Sequence, residues 1–511
     1  MAPKIIFLVN PEFGQLNVHL STAYALLQVA PDVEVHLASH RNIEKEVIST
    51  STLALKNCPP GRAPIFFHHV GPSYQECIES KNHSGEQTLL TKPGFFEMWG
   101  RANFMVEYAC PWNTEQYMET YEATVRVLDE VKPDLAAVDA IFCPGMTAVR
   151  ARKVKFHLLM PNSLKEAYYN LDAMWTYPGM ALGYSYPLAW HLIPANILYQ
   201  LRLGYSAFTN PGFTALRKSF QAKYGLRPVT LAPMDLGMDP EPGLKYIVAA
   251  APELDFPFPK LGDNVITCGP IMKPFAPLKK SDPALLSWLA RGPTIFINFG
   301  SHRAVYEDLA VELATAVRLV LASAADAAVR LGKPELARLQ VLWKLKQTGG
   351  NWFRHYKKYP VKEPGSRIHG ILGAEMDADR VRVLDWVDAE PISVVDSGHI
   401  TCFVHHAGAT SALEGLYAGV RHVALPGWAD CYDWATRLEY LGVGVWASRK
   451  ACPNWTAEEL GEAMKKVILG AEAGAFQRKA DELSEAVKKS ESGRVVAAKT
   501  LLSELDLAVG R

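Results

Sequence analysis

Four polar residues stand where one short stretch of chain changes direction. His406 closes an apolar strand (Cys402 to His405), the small-residue turn Ala407 to Thr410 follows, Ser411 opens a helix and Glu414 lies one turn further in. A helix N-terminus carries unpaired N–H groups and the positive end of the helix dipole, so this turn is suited to an anion such as a diphosphate. A second strand (His422 to Leu425) leads to Trp428-Ala429-Asp430, whose carboxylate suits sugar hydroxyls. An anion cradle, a carboxylate for a ribose and a carboxylate for a hexose, in that order, describe a nucleotide-sugar site.

The segment Trp386 to Gly444 resembles the signature box of the UDP-glycosyltransferase family, and the length and layout of the chain are similar as well. The matching residues are Trp386, His406, Gly408, Ser411, Glu414, Gly419-Val420, Pro426 and Trp428-Ala429-Asp430. The resemblance implies that Trp386 stacks the uracil, Glu414 holds the ribose hydroxyls, His406 with Ser411 holds the diphosphate, and Asp430 grips the transferred sugar. Val387, Thr410 and Cys431 join the implied donor site, as does Ser301 in the turn Phe299-Gly300-Ser301. Two departures stand out. Ala409-Thr410 replaces the Trp-Asn of plant members, and Cys431 replaces a glutamine that usually contacts the sugar.

The resemblance also implies a basic histidine after the first strand, in a G-H-x-N pattern, oriented by an aspartate on a later strand. Here the run is Phe13-Gly14-Gln15-Leu16-Asn17-Val18-His19, so Gln15 stands where the histidine is expected. Glutamine cannot take a proton. His19 shares a helix face with Gln15 if a helix starts there, which makes it the candidate base; the alternative is a helix histidine without a role. Asp139, at the end of the apolar run in PDLAAVDAIF, is the candidate orienting residue. His302 is the fallback base.

Apolar runs of strand length alternate with helical patterns in both halves, the mark of parallel sheets covered on both faces. The expected strands are Ile5–Val9, Val33–Leu37, Leu135–Val138, Phe156–Met160 and Tyr246–Ala249, then Thr294–Asn298, Val341–Trp343, Val381–Leu384, Cys402–His405 and His422–Leu425. The expected fold class is therefore α/β, with two doubly wound, parallel-sheet (Rossmann-like) domains. The family resemblance implies that they face each other across a cleft (GT-B). On that resemblance residues 1–268 are expected to be the acceptor-binding domain, the proline-rich stretch 269–283 the linker, 284–490 the UDP-sugar domain, and 491–511 a C-terminal helix able to pack back on the first domain.

Residues 165–210 are dense in aromatics and prolines. They read as a packed insertion, or as a lipophilic acceptor wall or a face for peripheral membrane contact. Phe95, Phe96, Trp99 and Phe104 suit a phenolic or other lipophilic acceptor, with helix core as the plain alternative. The D-x-D triplet Asp377-Ala378-Asp379 reads as a solvated acidic turn, so no metal and no cofactor beyond the UDP-sugar donor is expected. The basic cluster Arg354 to Lys358 reads as surface.

Bulk properties narrow the partners. In 511 residues, 53 Lys and Arg balance 53 Asp and Glu, so no global field points to nucleic acid. The eight cysteines are scattered without a C-x-x-C pair, which fits a reducing compartment. The start MAPKIIFLVN is too short an apolar run for a signal peptide, and no stretch approaches the ~18 apolar residues of a membrane span. A cytoplasmic protein is the expectation, and the sequons at Asn82 and Asn454 read as chance. The expected function is transfer of a hexose, glucose first, from its UDP derivative with inversion onto a lipophilic hydroxyl. The alternative is a UDP-sugar-binding or partner protein that kept the donor box and lost the base.

Overall fold

A computed structural model describes residues 2–509 apart from 73–75, 78–89, 169–171, 302 and 348–357, and the side chains of Arg41 and 507–509. His302, Asn82 and most of the basic cluster, residues 354–357, lie outside the described residues; Lys358 is described and pairs with Asp385.

The first half builds one parallel sheet from β1 (Lys4–Leu8), β2 (Glu34–Ser39), β3 (Phe66–His69), β4 (Leu135–Asp139), β5 (Phe156–Met160), β6 (Tyr246–Val248) and β7 (Val265–Thr267), ordered 3-2-1-4-5-6-7. The second half builds another from β8 (Thr294–Asn298), β9 (Gln340–Lys344), β10 (Val381–Leu384), β11 (Ile400–His405), β12 (Arg421–Ala424) and β13 (Gly444–Trp446), ordered 10-9-8-11-12-13. All pairings are parallel. Strands buried on both faces are apolar at every position rather than at alternate ones. In β1, Ile6 and Leu8 enter one core while Ile5 and Phe7 enter the core on the opposite face. Three strands escape the sequence pattern: β6's neighbour β7 and the edge strand β13 have three residues each, and FFHH of β3 is partly exposed.

In such sheets the strand order reverses at one point, and the crevice there, beyond the strand carboxyl ends, is where ligands sit. The reversal lies between β1 and β4 in the first sheet and between β8 and β11 in the second. Asp139 ends β4, His406 follows β11, and Gly300-Ser301 follows β8. Topology alone thus gathers the polar residues at two points.

The halves are tied together by polar contacts. Thr91 N–H donates to the Gly427 carbonyl (3.0 Å), Lys165 pairs with Asp433, and Arg437 pairs with Asp255 at 2.6 Å with neither side chain exposed. The C-terminal helix Gly493–Val509 returns to the first half, where Ala497, Ala498 and Leu501 join the core beneath β1. Its Glu504 meets Lys155 (2.9 Å) and Lys245 (2.6 Å). The linker contains a short helix, Leu278–Ser281, and the connection before β10 contains the helix Arg367–Asp377. No helix among the described residues is long and apolar enough to cross a membrane.

Candidate functional site

The turn after β8 and the turn after β11 touch through one imidazole. Gly300 sits at φ 75°, and a Cβ there would stand 2.9 Å from His406 Cε1. A Cβ on Gly408 would stand 2.4 Å from His406 Nε2. Only glycine fits on both sides of the ring, which leans on Trp428 with centroids 5.5 Å apart. Gly408 precedes the helix Ala409–Ala418, whose first-turn N–H groups receive no side-chain cap. Thr410 and Ser411 lie in that first turn, half-buried. Uncapped N–H groups beside an imidazole make an anion cradle.

Two lysines not singled out in the sequence reinforce it. Lys344 Nζ, at the end of β9, donates to the Gly300 carbonyl (3.3 Å), and Lys346 Nζ donates to the Ser301 carbonyl (2.5 Å). Burial, with Lys346 nearby, brings the Lys344 ammonium down to about 8. The available signal was LWKLK, two cations on one face at the carboxyl end of an apolar strand. Lys344 Nζ also lies 4.0 Å from the ring centre of Trp386. That indole is 62% exposed and lines a cavity of about 650 Å³ with Gln347, Tyr359, Val361 and Leu384. Val387 packs half-buried in the apolar cluster beneath.

Glu414 is buried on the helix Ala409–Ala418, and desolvation, with Glu390 adding to it, raises its carboxyl to about 8. Lys273 of the linker acts in the opposite sense. Its Nζ lies 3.8 Å from Glu390 and 5.7 Å from the Phe13 ring centre, which brings the start of the helix Phe13–Val29 close to Glu414.

Asp430 opens the helix Ala429–Tyr440, and burial raises it to about 6. Facing it from the first half is Glu166, raised to about 7 by burial and by the charge of Asp430, and hydrogen-bonded by Asn162. Lys165 and Arg437 supply positive charge but are committed to Asp433 and Asp255. Glu166 escaped the sequence reading because nothing in its own segment pairs it with Asp430. Cys431 needs a correction. It is 1% exposed and joins the apolar cluster with Tyr432 and Trp434, because one residue along a helix turns the side chain by about 100°.

In the first half, Asp139 is fully buried and accepts from the N–H groups of Asn10 (3.3 Å) and Ile141 (3.1 Å). Burial raises its carboxyl to about 7 despite these bonds. Gln15 and His19 do share a helix face: His19 Nδ1 bonds the Gln15 carbonyl at 3.1 Å. The ring points into the core, edge-on to Phe7 (centroids 6.0 Å), and is 0% exposed. Desolvation lowers it to about 4. His19 therefore faces away from solvent, and Asp139 is bonded to backbone rather than to an imidazole.

Phe95, Phe96 and Trp99 form one aromatic group on the helix Phe95–Gly100 (centroids 5.3 and 5.5 Å from Phe95), with Arg202 over Trp99 at 5.8 Å. Phe104 stacks on Tyr108. The segment 165–210 divides. Tyr168 and Tyr177 pack with Phe256, while Trp190, Leu201 and Tyr205 are exposed. Asp379 of the acidic triplet is bound by Arg291 (2.5 Å) and Arg382 (2.7 Å), which hold its carboxyl at about 2, Arg382 more strongly.

Comparison with known proteins gives the chain's relatives. The family model described as "UDP-glucoronosyl and UDP-glucosyl transferase" matches residues 372–484. Glycosyltransferase sdnJ of Sordaria araneosa is 30% identical over 484 residues, 93% of this chain and 89% of that one. A UDP-glycosyltransferase of Talaromyces amestolkiae is 27% identical over 271 residues, 52% of this chain and 47% of that one. Among solved structures, an O. sativa protein in complex with U2F and trichothecene superposes with a TM-score of 0.61 at 15% identity, covering 99% of this chain and 100% of that one. A UDP-glucosyltransferase from Polygonum tinctorium, capable of glucosylating indoxyl, gives 0.59 at 16% identity, covering 99% and 98%.

Proposed function

The chain belongs to the UDP-glycosyltransferase family, with its two-domain GT-B fold, and from that premise we propose that it moves a neutral hexose, glucose first, from its UDP derivative onto a hydroxyl of a lipophilic small molecule. The observation that carries the choice of sugar is the acidic pair Glu166 and Asp430. Carboxylates are good acceptors for sugar hydroxyls, whereas a uronic acid would bring a third negative charge to a place where Lys165 and Arg437 are already paired.

The donor would lie along the second sheet. Trp386 with Val387 takes the uracil, Glu414 the ribose, and the Ser301 turn with His406, Gly408, Thr410 and Ser411 takes the diphosphate, with Lys344 adding charge. Protein donors relieve the leaving group, and Asp379 is engaged by two arginines, so the reaction is proposed to run without a metal. Inversion follows from the family resemblance, since one displacement needs a base and no protein nucleophile. The exposed aromatics on the helix Phe95–Gly100 and beside it support a phenolic or other lipophilic acceptor. Eight free cysteines are in keeping with a cytoplasmic setting.

Release of UDP from UDP-glucose, UDP-galactose and UDP-glucuronate, each with a panel of phenols and aliphatic alcohols, tests the reading. UDP-glucose should lead, and the anomeric proton coupling of the product should report a β-glycoside. Binding of UDP-glucose without release in any mixture would favour the sugar-binding, non-enzymatic alternative.

A further inference from the structure

Resting on the transferase reading, we propose that Glu12 is the general base for the acceptor hydroxyl, with Asp139 beside it as a positioning residue. The observations start from what is missing. Gln15 occupies the place of the expected histidine, and His19 is turned into the core with Nδ1 on a backbone carbonyl. What remains at the switch point of the first sheet is a pair of carboxyl groups. Glu12 stands between β1 and the helix Phe13–Val29, and its backbone carbonyl accepts the first helical bonds from Gln15 (2.9 Å) and Leu16 (2.8 Å). Its side chain does not cap that helix. Glu12 Oε2 is shielded from solvent and has no hydrogen-bond partner among the described residues, and the same holds for Gln15 Oε1 one turn on. Both amide atoms of Asn10, Asn17 Oδ1 and His19 Nε2 are unpartnered among the described residues as well. Buried polar atoms are nearly always satisfied, so a group of orphans at a ligand crevice points to a polar ligand. Of these, Glu12 and His19 are the titratable groups, His19 with its ring edge-on to Phe7 in the core. A donor hydroxyl would satisfy the Glu12 oxygen.

The electrostatics agree. Desolvation first, and the charge of Asp139 in addition, raise the Glu12 carboxyl to about 8. A base whose affinity for protons lies near the working pH takes a proton from a hydroxyl most effectively. The groups around the pair are few. The Asn10 and Ile141 N–H groups donate to Asp139, the Cys143 thiol is raised partly by its charge, and Lys273 of the linker lies over the ring of Phe13, the residue after Glu12. That same Lys273 reaches Glu390 and acts on Glu414, which connects Glu12's neighbourhood to the ribose side of the donor.

In the step, the acceptor O–H gives its proton to the Glu12 carboxylate while its oxygen bonds the anomeric carbon. The bond from that carbon to the diphosphate oxygen breaks, and its electron pair leaves with UDP. Glu12 later returns the proton to water. Asp139, without touching substrate, keeps Glu12 basic through its charge.

The test compares Glu12→Gln, Glu12→Asp and Asp139→Asn with the wild type, using UDP-glucose and a series from an acidic nitrophenol to an aliphatic alcohol. Glu12→Gln removes one of two repelling carboxylates and should keep the melting temperature and UDP affinity. Its turnover should fall about 10²- to 10⁴-fold for the alcohol and little for the nitrophenol, with Glu12→Asp in between. Asp139→Asn should move the acidic limb of the kcat/KM profile to lower pH, because Glu12 loses a negative neighbour. Equal activity of Glu12→Gln and wild type on the alcohol, or the same loss on every acceptor, overturns Glu12 as base while leaving the transferase reading in place. A wild type that releases no UDP with any acceptor overturns both.

Discussion

His405 and His422 share a hydrogen bond of 2.9 Å, Nε2 to Nδ1, beneath the turn that presents His406. The Ala407 N–H donates to His405 Nδ1 at 3.1 Å. That nitrogen is therefore the acceptor, the proton sits on His405 Nε2, and His422 Nδ1 receives it. Both rings are fully buried and neutral, His422 brought down to about 3 by desolvation. Ala407, at φ 60°, is held in a left-handed conformation that costs a non-glycine residue about 1–3 kcal/mol, and His405 is one of the contacts that hold it there.

His405→Ala should leave that N–H without its acceptor and His422 without its donor. A stability loss of roughly 1–3 kcal/mol is expected, read as a lower melting temperature. KM for the UDP-sugar should rise more than KM for the acceptor, since the released turn carries His406. A variant with unchanged donor KM would show that the turn is held by other contacts.

Replacing Glu414 with alanine should weaken UDP binding about two- to ten-fold near neutral pH, the worth of a neutral hydrogen bond of roughly 0.5–1.5 kcal/mol, because the buried carboxyl holds its proton there. Glu414→Gln separates binding from burial. The folded carboxyl is raised from 4.5 to about 8, so the native state holds its proton more tightly than the unfolded chain. Its contribution to stability is present below pH 4.5 and falls as pH rises toward about 8. The glutamine variant lacks that fall, and its stability relative to wild type should improve from pH 5 to pH 8 in urea titrations. A constant difference would mean the carboxyl is not desolvated.

Arg437→Met should cost about 3–5 kcal/mol, because it leaves the Asp255 charge buried without its partner. This pair joins the two halves, and Arg437 is also stacked over Phe256 and Trp434 at 4.6 and 4.5 Å. Chemical denaturation should show the loss, with the double variant Arg437→Met, Asp255→Asn recovering part of it.

His19→Ala should lower stability by about 1–3 kcal/mol as a buried side chain is lost. Turnover should change alike for acidic and weakly acidic acceptors. A loss that grows with acceptor pKa would restore His19 as the base.

Activity in EDTA should equal activity without it. A loss reversed by Mn²⁺ would require Asp379 to leave Arg291 and Arg382, and would overturn the metal-free proposal.

The second-half site was legible in the sequence because its parts are local. A strand, a tight turn and a helix bring His406, Ser411 and Glu414 together within one βαβ unit, and the glycines at 300 and 408 fit because only they leave room for the imidazole. The doubly wound sheets were legible too, since strands covered on both faces are apolar without alternation. What tertiary structure decided are the distances between segments far apart in the chain. The charge of Asp139 is felt at Glu12 because β1 lies beside β4, that of Asp430 at Glu166 across the two halves, and Lys344 reaches Gly300 and Trp386 because β9 lies beside β8. Burial was equally out of reach. The sequence sets His19 and Gln15 on one face of a helix, but which way that face turns depends on the sheet and on the C-terminal helix packed over it. Desolvation then decides which of these groups can hold or take a proton.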